Sequence, residues 1–287
     1  MGANGTFDPK SDILHTFDSI KEAVAYADQH RDKENGSATK GTRKFCETGS
    51  FKEAAMLADE GWSAKRTAID AVLVPLRERL SEMLDWVPER TLDMIGYEPD
   101  IDLFLDGELE CMVEDMIVEA PKTGKVFTLL LNTTYPGFTD ADDVLRRGAA
   151  VAGLVEAFQM LDLELEVWVE NTVSDRATGG KFWSMLTKVH KAGENMDVDA
   201  IAFPIAHPSW LRRIVFACKE GESAKVRESF GFQQHGGYGN CIGSVHAKRV
   251  NASIMLSLDS RGKYDDDPVQ FILEQLETLG VWERAES

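Results

Sequence analysis

The sequence predicts an α/β protein: a three-layer, mixed, mostly parallel sheet with helices on both faces, preceded by a small helical N-terminal module. Two observations carry this expectation. Between Val126 and Glu170 an apolar run, a turn, a long amphipathic stretch and a second apolar run follow one another, the order of a parallel strand–helix–strand crossover. After it, strand-like and helix-like segments alternate up to a last helix that opens at Asp267-Pro268 and ends at Gly280, an N-cap, first-turn proline and C-terminal glycine in sequence.

Taken in order, the first third reads as helical. Ser19–Asp28 (SIKEAVAYAD) aligns with Ser50–Asp59 (SFKEAAMLAD) at an offset of 31. Each copy opens with S-x-x-E, in which the serine and the glutamate each satisfy a free backbone donor, and each continues with Ala-rich sequence of high helix propensity. Gly61 is placed to close the second copy as a left-handed cap. Residues 30–44 between the copies are polar and read as a mobile loop. A third helix is expected from about Thr67 to Leu84, kinked or split at Pro75. The boundary is expected near residue 95, giving a helical module over 1–95 and an α/β domain over 96–287.

Within the second part, Leu109–Ala120 and Lys125–Asn132 read as a hairpin joined by the turn-forming Pro121–Gly124. The crossover helix opens at Thr139–Asp143 and runs to about Leu161; Leu165–Glu170 is its second strand. Phe182–His190 has the β-branched and aromatic content of another strand. Asp199–Ala206 fits either a buried strand or a short helix capped by Asp197 or Asp199. Ser209–Lys219 reads as a helix with Trp210, Ile214, Ala217 and Cys218 inward and Arg212 and Arg213 near the surface, and Asn251–Leu258 as a further strand.

The 287 residues include 49 acidic and 31 basic side chains, a net charge of −18. Such a surface repels nucleic-acid backbones, so no direct nucleic-acid partner is expected. No run reaches the roughly 18 to 20 apolar residues of a membrane span, and the polar start reads as no secretory signal; a cytoplasmic protein is expected. Cys46, Cys111, Cys218 and Cys241 are widely spaced and no H-x-x-x-H occurs, which leaves sequence-local metal chemistry unsupported and suits reduced thiols.

Two loops are candidates for function. The first follows the strand ending at Asn132 and offers Thr133, Thr134 and Tyr135, with no ionisable carboxylate, imidazole or amine; in open α/β sheets this is where ligands bind. The second is Phe230–Gly243 (FGFQQHGGYGNCIG), running on to His246, Lys248 and Arg249. Its five glycines allow close backbone approach, and His235, Tyr238, Cys241 and His246 could supply acid–base groups. It lacks the order of a phosphate-binding loop. His207, ahead of Pro208, reads as a capping or packing residue, and Asp259 with Asp265–Asp267 as a solvated loop before a capped helix.

From 109 to 280 the arrangement resembles a von Willebrand factor A-type domain of the intracellular kind found in bacterial and phage proteins. The resemblance rests on the hairpin, the strand ending at Asn132 and the helix beginning near Asp142. In that family the first strand ends in Asp-x-Ser-x-Ser and holds a divalent cation. Here the stretch is Asn132-Thr133-Thr134-Tyr135-Pro136: the first carboxylate is gone, Thr134 keeps a hydroxyl, and the fifth position is proline. The resemblance therefore implies the scaffold without its metal, since hard cations want several oxygens including carboxylates. No cofactor is expected. The expected function is non-catalytic protein–protein interaction or assembly, with Asn132, Thr133, Thr134, Tyr135, His235, Tyr238, Lys248 and Arg249 as partner-binding residues. The alternatives are an enzyme using the Gly-rich loop through His235 and His246, and an acidic decoy of a nucleic-acid-binding protein.

Overall fold

Phe127–Asn132 is a strand whose six residues are all buried, as expected where a strand has neighbours on both edges and cover on both faces. It lies in a computed structural model that describes residues 12–32, 43–63, 66–83, 88–93, 98–99, 101–109, 111–117, 125–175, 180–194, 197–232, 237–258 and 266–281. The strands in chain order are β1 (Ile13–Phe17), β2 (Pro88–Asp93), β3 (Glu98–Pro99), β4 (Met112–Ile117), β5 (Phe127–Asn132), β6 (Leu165–Ser174), β7 (Phe182–His190), β8 (Asn240–Cys241) and β9 (Ile254–Ser257). The helices are α1 (Ile20–His30), α2 (Arg43–Cys46), α3 (Phe51–Glu60), α4 (Arg66–Met83), α5 (Ile101–Leu105), α6 (Ala141–Met160), α7 (Val198–Ala206), a π-helical stretch (Trp210–Val215) continuing into α8 (Phe216–Glu220), α9 (Ala224–Phe230) and α10 (Pro268–Thr278).

The fold class is the expected one: a mixed, mostly parallel six-stranded sheet with helices packed on it in a three-layer α/β arrangement. Its order is β1-β7-β6-β5-β9, and β8 pairs with β6. The β5–β6, β5–β9 and β1–β7 pairings are parallel, whereas β6 runs antiparallel to β7 and β8. The β5–α6–β6 crossover is the unit read from the sequence. Burying each of Leu129, Leu130 and Leu131 contributes on the order of 2 kcal/mol. In α6 Asp142 and Asp143 occupy the first turn, where the helix dipole favours carboxylates. Gly148 lets α6 approach α7, because a Cβ there would lie 2.3 Å from the Ala206 Cβ. On the other face of the sheet Leu130, Trp168 and Leu186 are covered by Ala247, Val250 and Ala252, from an irregular segment.

The two S-x-x-E copies form α1 and α3 with the same caps. Ser19 and Ser50 accept from the backbone of Glu22 and Glu53 at 3.2 Å each. The glutamates reach back one residue beyond the caps, to the amides of Asp18 (2.8 Å) and Gly49 (2.6 Å). The helices are antiparallel neighbours, since Lys21 at the start of α1 pairs with Asp59 at the end of α3 at 2.8 Å, and Arg31 lies over the Phe51 ring. Gly61 closes α3 at φ +87 with ψ 168, extended rather than the left-handed helical turn expected, so that Trp62 N can bond Asp199 O at 2.9 Å. Most of the 30–44 stretch, at residues 33–42, lies outside the described residues.

Three expectations are corrected. The Leu109–Ala120 segment does not pair with Lys125–Asn132: β4 pairs antiparallel with β2 and β3, while both edges of β5 are taken by β6 and β9. The expected turn at 121–124 lies outside the described residues. The chain does not divide near residue 95; residues 1–76 with 124–287 form one unit and 77–123 another. The cause is β1, an edge strand on β7, which with α1 and α3 makes the N-terminal segment part of the large unit. Finally, Arg213 is 2% exposed: it stands i+3 from Trp210 and i−4 from Ala217, on the inward side, and its Nη2 donates to Thr48 O at 2.8 Å. The ambiguous Asp199–Ala206 segment is helical, capped by Asp197.

Candidate functional site

The carboxyl end of β5 is built by a difference in strand length. β6 continues four residues past its last partner on β5, Glu170 opposite Asn132, so the loop after β5 lies against the free edge of β6 and completes its pairing. Thr133 N and Oγ1 donate to Glu170 O at 2.8 and 3.2 Å, and Thr134 Oγ1 accepts from Thr172 N at 2.9 Å. Asn132 is used three ways: its Oδ1 accepts from Thr134 N (2.8 Å), its Nδ2 donates to Ile242 O (3.1 Å), and its carbonyl accepts from Leu258 N (3.0 Å). Tyr135 packs near Phe45, ring centroids 6.3 Å apart, and burial pushes its phenol up. Exposures of 0, 2, 3 and 5% for Asn132, Thr133, Thr134 and Tyr135 place these side chains inside the protein, where they hold the sheet end together, and not on its surface.

The loop after β5 and the segment after the Gly-rich stretch do meet, and the residue between them is one that sequence reasoning missed. Glu170 is fully buried; its Oε1 accepts from Thr172 Oγ1 (2.8 Å) and Val245 N (3.1 Å). Burial pushes its pKa up, against the hydrogen bonds from Thr172, Val245, Ser244 and His246. His246, also buried, is held down at about 4 by burial and then by the Arg249 charge, with Asp12 opposing. Lys248 and Arg249 are exposed on the following turn. His235 lies outside the described residues.

On the Gly-rich stretch Gly237, Tyr238 and Gly239 all have positive φ, +98, +65 and +90. A Cβ at Gly239 would come within 2.7 Å of Val173, so the chain passes β6 too closely for a side chain. Tyr238 is half-buried and packed: its ring stacks on Phe216 at 3.6 Å, its hydroxyl donates to Glu220, and its carbonyl accepts from Lys219 Nζ at 3.3 Å. Lys219 is 1% exposed, with Nζ 5.1, 5.5 and 5.4 Å from the centroids of Trp183, Phe216 and Phe232. Burial pulls its pKa down to about 7, with Arg212 adding to the fall and Cys241 and Cys218 opposing it. Arg212 lies over Phe45 and Phe216, 5.1 Å from each.

His207 packs and caps as expected: Nδ1 accepts from Ser209 N at 3.0 Å, and the ring meets Trp62 edge-on at 4.5 Å. Of the acidic loop, Asp267 caps α10 through Gln270 N at 2.9 Å; Asp259 and Asp265 lie outside the described residues. Among the described residues no group of three or more His, Cys, Asp or Glu is arranged to hold a metal ion. A concavity of about 550 Å³ between α1 and α3 is lined by Val24, Phe51, Ala55 and Ala58 among others.

Against known proteins, one match stands out: the family described as "Domain of unknown function (DUF7192)" matches residues 6–283. The chain belongs to that family. Neither a curated protein nor a solved structure matches it. For this DUF7192 member the fold and the side-chain geometry are therefore what bear on function, and no helix among the described residues is long and apolar enough to cross a membrane.

Proposed function

We propose that this chain is a non-catalytic protein-interaction protein, built on an α/β scaffold like that of the A-type domains but without their cation. The observation that supports this is the closure of the carboxyl end of β5. In an open α/β sheet that end is the usual ligand crevice, and here Asn132, Thr133 and Thr134 spend their polar atoms on Glu170, Thr172 and Ile242 inside the protein. The hydroxyl at the third position, Thr134, is committed to a backbone amide. The acid beneath the loop, Glu170, is fully buried and its Oε1 is already held by Thr172 Oγ1 and Val245 N.

Affinity capture with the intact chain from its native source, followed by mass spectrometry, tests the reading; a stoichiometric protein partner is expected. Calorimetry with magnesium and manganese is the counter-test. Micromolar affinity abolished by Thr134→Ala would overturn the reading.

A further inference from the structure

We propose that the apolar face of α5 is the docking surface for a basic amphipathic segment of a partner protein. This rests on the interaction reading above and gives it a place and a partner chemistry. Ile101, Phe104 and Leu105 stand at i, i+3 and i+4, which puts them on one helical face. They are 61, 61 and 75% exposed, and Leu109 just beyond is 80% exposed. Single exposed apolar residues are ordinary, whereas several gathered within nine residues mark an interaction site. Leu103, by contrast, is partly buried, so the unit's own packing uses a different side of the helix. The helix end is firmly closed: Gly107, at φ +80, donates to Phe104 O at 3.2 Å and Glu108 N to Leu103 O at 3.0 Å, the paired bonds of a Schellman cap. The face is therefore a shaped surface, not a frayed end.

The charge of the neighbouring sequence, with Asp106 and Glu108 on the helix's own end, selects the partner. Residues 91–121 carry ten Asp and Glu and no Lys, Arg or His, more than half of the net −18 of the whole chain. Asp106 and Glu108, beside the apolar face, are exposed. A partner that covers Phe104 and Leu105 must bring apolar side chains, and one that tolerates the carboxylate rim must bring cations. A second copy of this chain would set the same acids against each other, and a nucleic acid would add phosphates to them. A helix with leucines on one face and lysines on its flanks meets both demands. Apolar burial supplies the affinity and the rim speeds and orients the encounter.

The test uses the intact protein and a synthetic Leu/Lys amphipathic helix, with an all-Lys peptide of equal charge as control, followed by fluorescence anisotropy. The Leu/Lys helix is expected to bind at least about tenfold more tightly than the control, and Phe104→Ser with Leu105→Ser, which leaves the charge unchanged, to remove that advantage. Circular dichroism checks that the double variant folds. Should it not fold, hydrogen exchange on the unmodified protein decides: peptide-induced protection at 101–109 supports the surface. Equal binding by the double variant, protection only elsewhere, or self-association that depends on Leu105 overturns it. Those results leave the general interaction reading standing, because that is tested separately, by partner capture and by metal binding at Thr134.

Discussion

Replacing Lys219 with methionine should make the protein more stable and should remove a specific piece of its pH dependence. The amine is 1% exposed, ringed by Trp183, Phe216 and Phe232, and has one hydrogen bond, to Tyr238 O. Aromatic faces attract a cation by about 1 to 2 kcal/mol, less than full removal from water costs it. Burial accordingly wins and lowers the pKa to about 7, whereas an unfolded chain keeps the proton up to about 10.4. Between those values the unfolded state binds more protons than the folded one, so stability rises with pH across that window and is flat below it. The gain from about pH 7.5 to about pH 9 comes to about 2 kcal/mol, from about 1.4 kcal/mol per pK unit.

Urea titrations of the native protein and Lys219→Met at those two pH values measure this directly. Methionine keeps an unbranched stem of similar length and carries no charge. Other groups titrating in the window contribute equally to both proteins and cancel in the difference. The native protein should gain about 2 kcal/mol relative to the variant on going to the higher pH. Equal slopes, or a variant less stable at the lower pH, would refute the argument that the burial of this charge is uncompensated.

Three further outcomes are expected. Ser19→Ala and Ser50→Ala should each lower the unfolding free energy by about 1 kcal/mol, read by urea denaturation, because each removes a side-chain acceptor for a helix N-terminal amide. Gly148→Ala should cost about 3 kcal/mol by forcing α6 away from α7, while Gly243→Ala, where an added Cβ meets nothing within 4 Å, should leave the denaturation midpoint unchanged. Glu170 has a raised folded pKa, so its contribution is complete below the unfolded value of about 4.3 and is lost as pH rises through the folded one. Glu170→Gln should therefore flatten the fall in stability toward neutral pH, and an unchanged fall would show that another group causes it.

What the sequence revealed, and what it hid, follows from periodicity. The β5–α6–β6 unit was legible because strand runs of six and ten residues flank a helix with carboxylates in its first turn. The duplicated S-x-x-E helices were legible because capping is a local event, settled within four residues. The hairpin was misread because β2, the real neighbour of β4, has the sequence PERTLD, whose proline and charges carry little strand signal. Glu170 was missed for a subtler reason. In LEVWVENTVS, Glu166, Glu170 and Thr172 share one face of β6, and polar residues at period two read as a wet face. That face is covered, but by the irregular 244–252 segment, which has no periodicity to announce itself. Arg213 was placed outside because of its charge, although i+3 from Trp210 and i−4 from Ala217 already put it on the inward side, where Thr48 O accepts from its guanidinium.

The perturbed groups at the sheet end share a direction. Burial moves Glu170 up, His246 down to about 4 and Lys219 down to about 7, in each case toward the uncharged form. A protein interior meets the cost of a buried charge either by pairing it or by discharging it, and these three are moved toward discharge. The stretch around α5 in the sequence runs the opposite way: residues 91–121 hold ten carboxylates and no basic side chain, and Asp106 and Glu108 are exposed beside the apolar side chains of the helix. Each alone costs little in water, and together they repel one another. Such an arrangement gains whenever cations and apolar cover arrive together. Long-range recognition needs charge in contact with water, which the run of carboxylates in residues 91–121, uninterrupted by any basic side chain, can supply and the buried Glu170, His246 and Lys219 cannot.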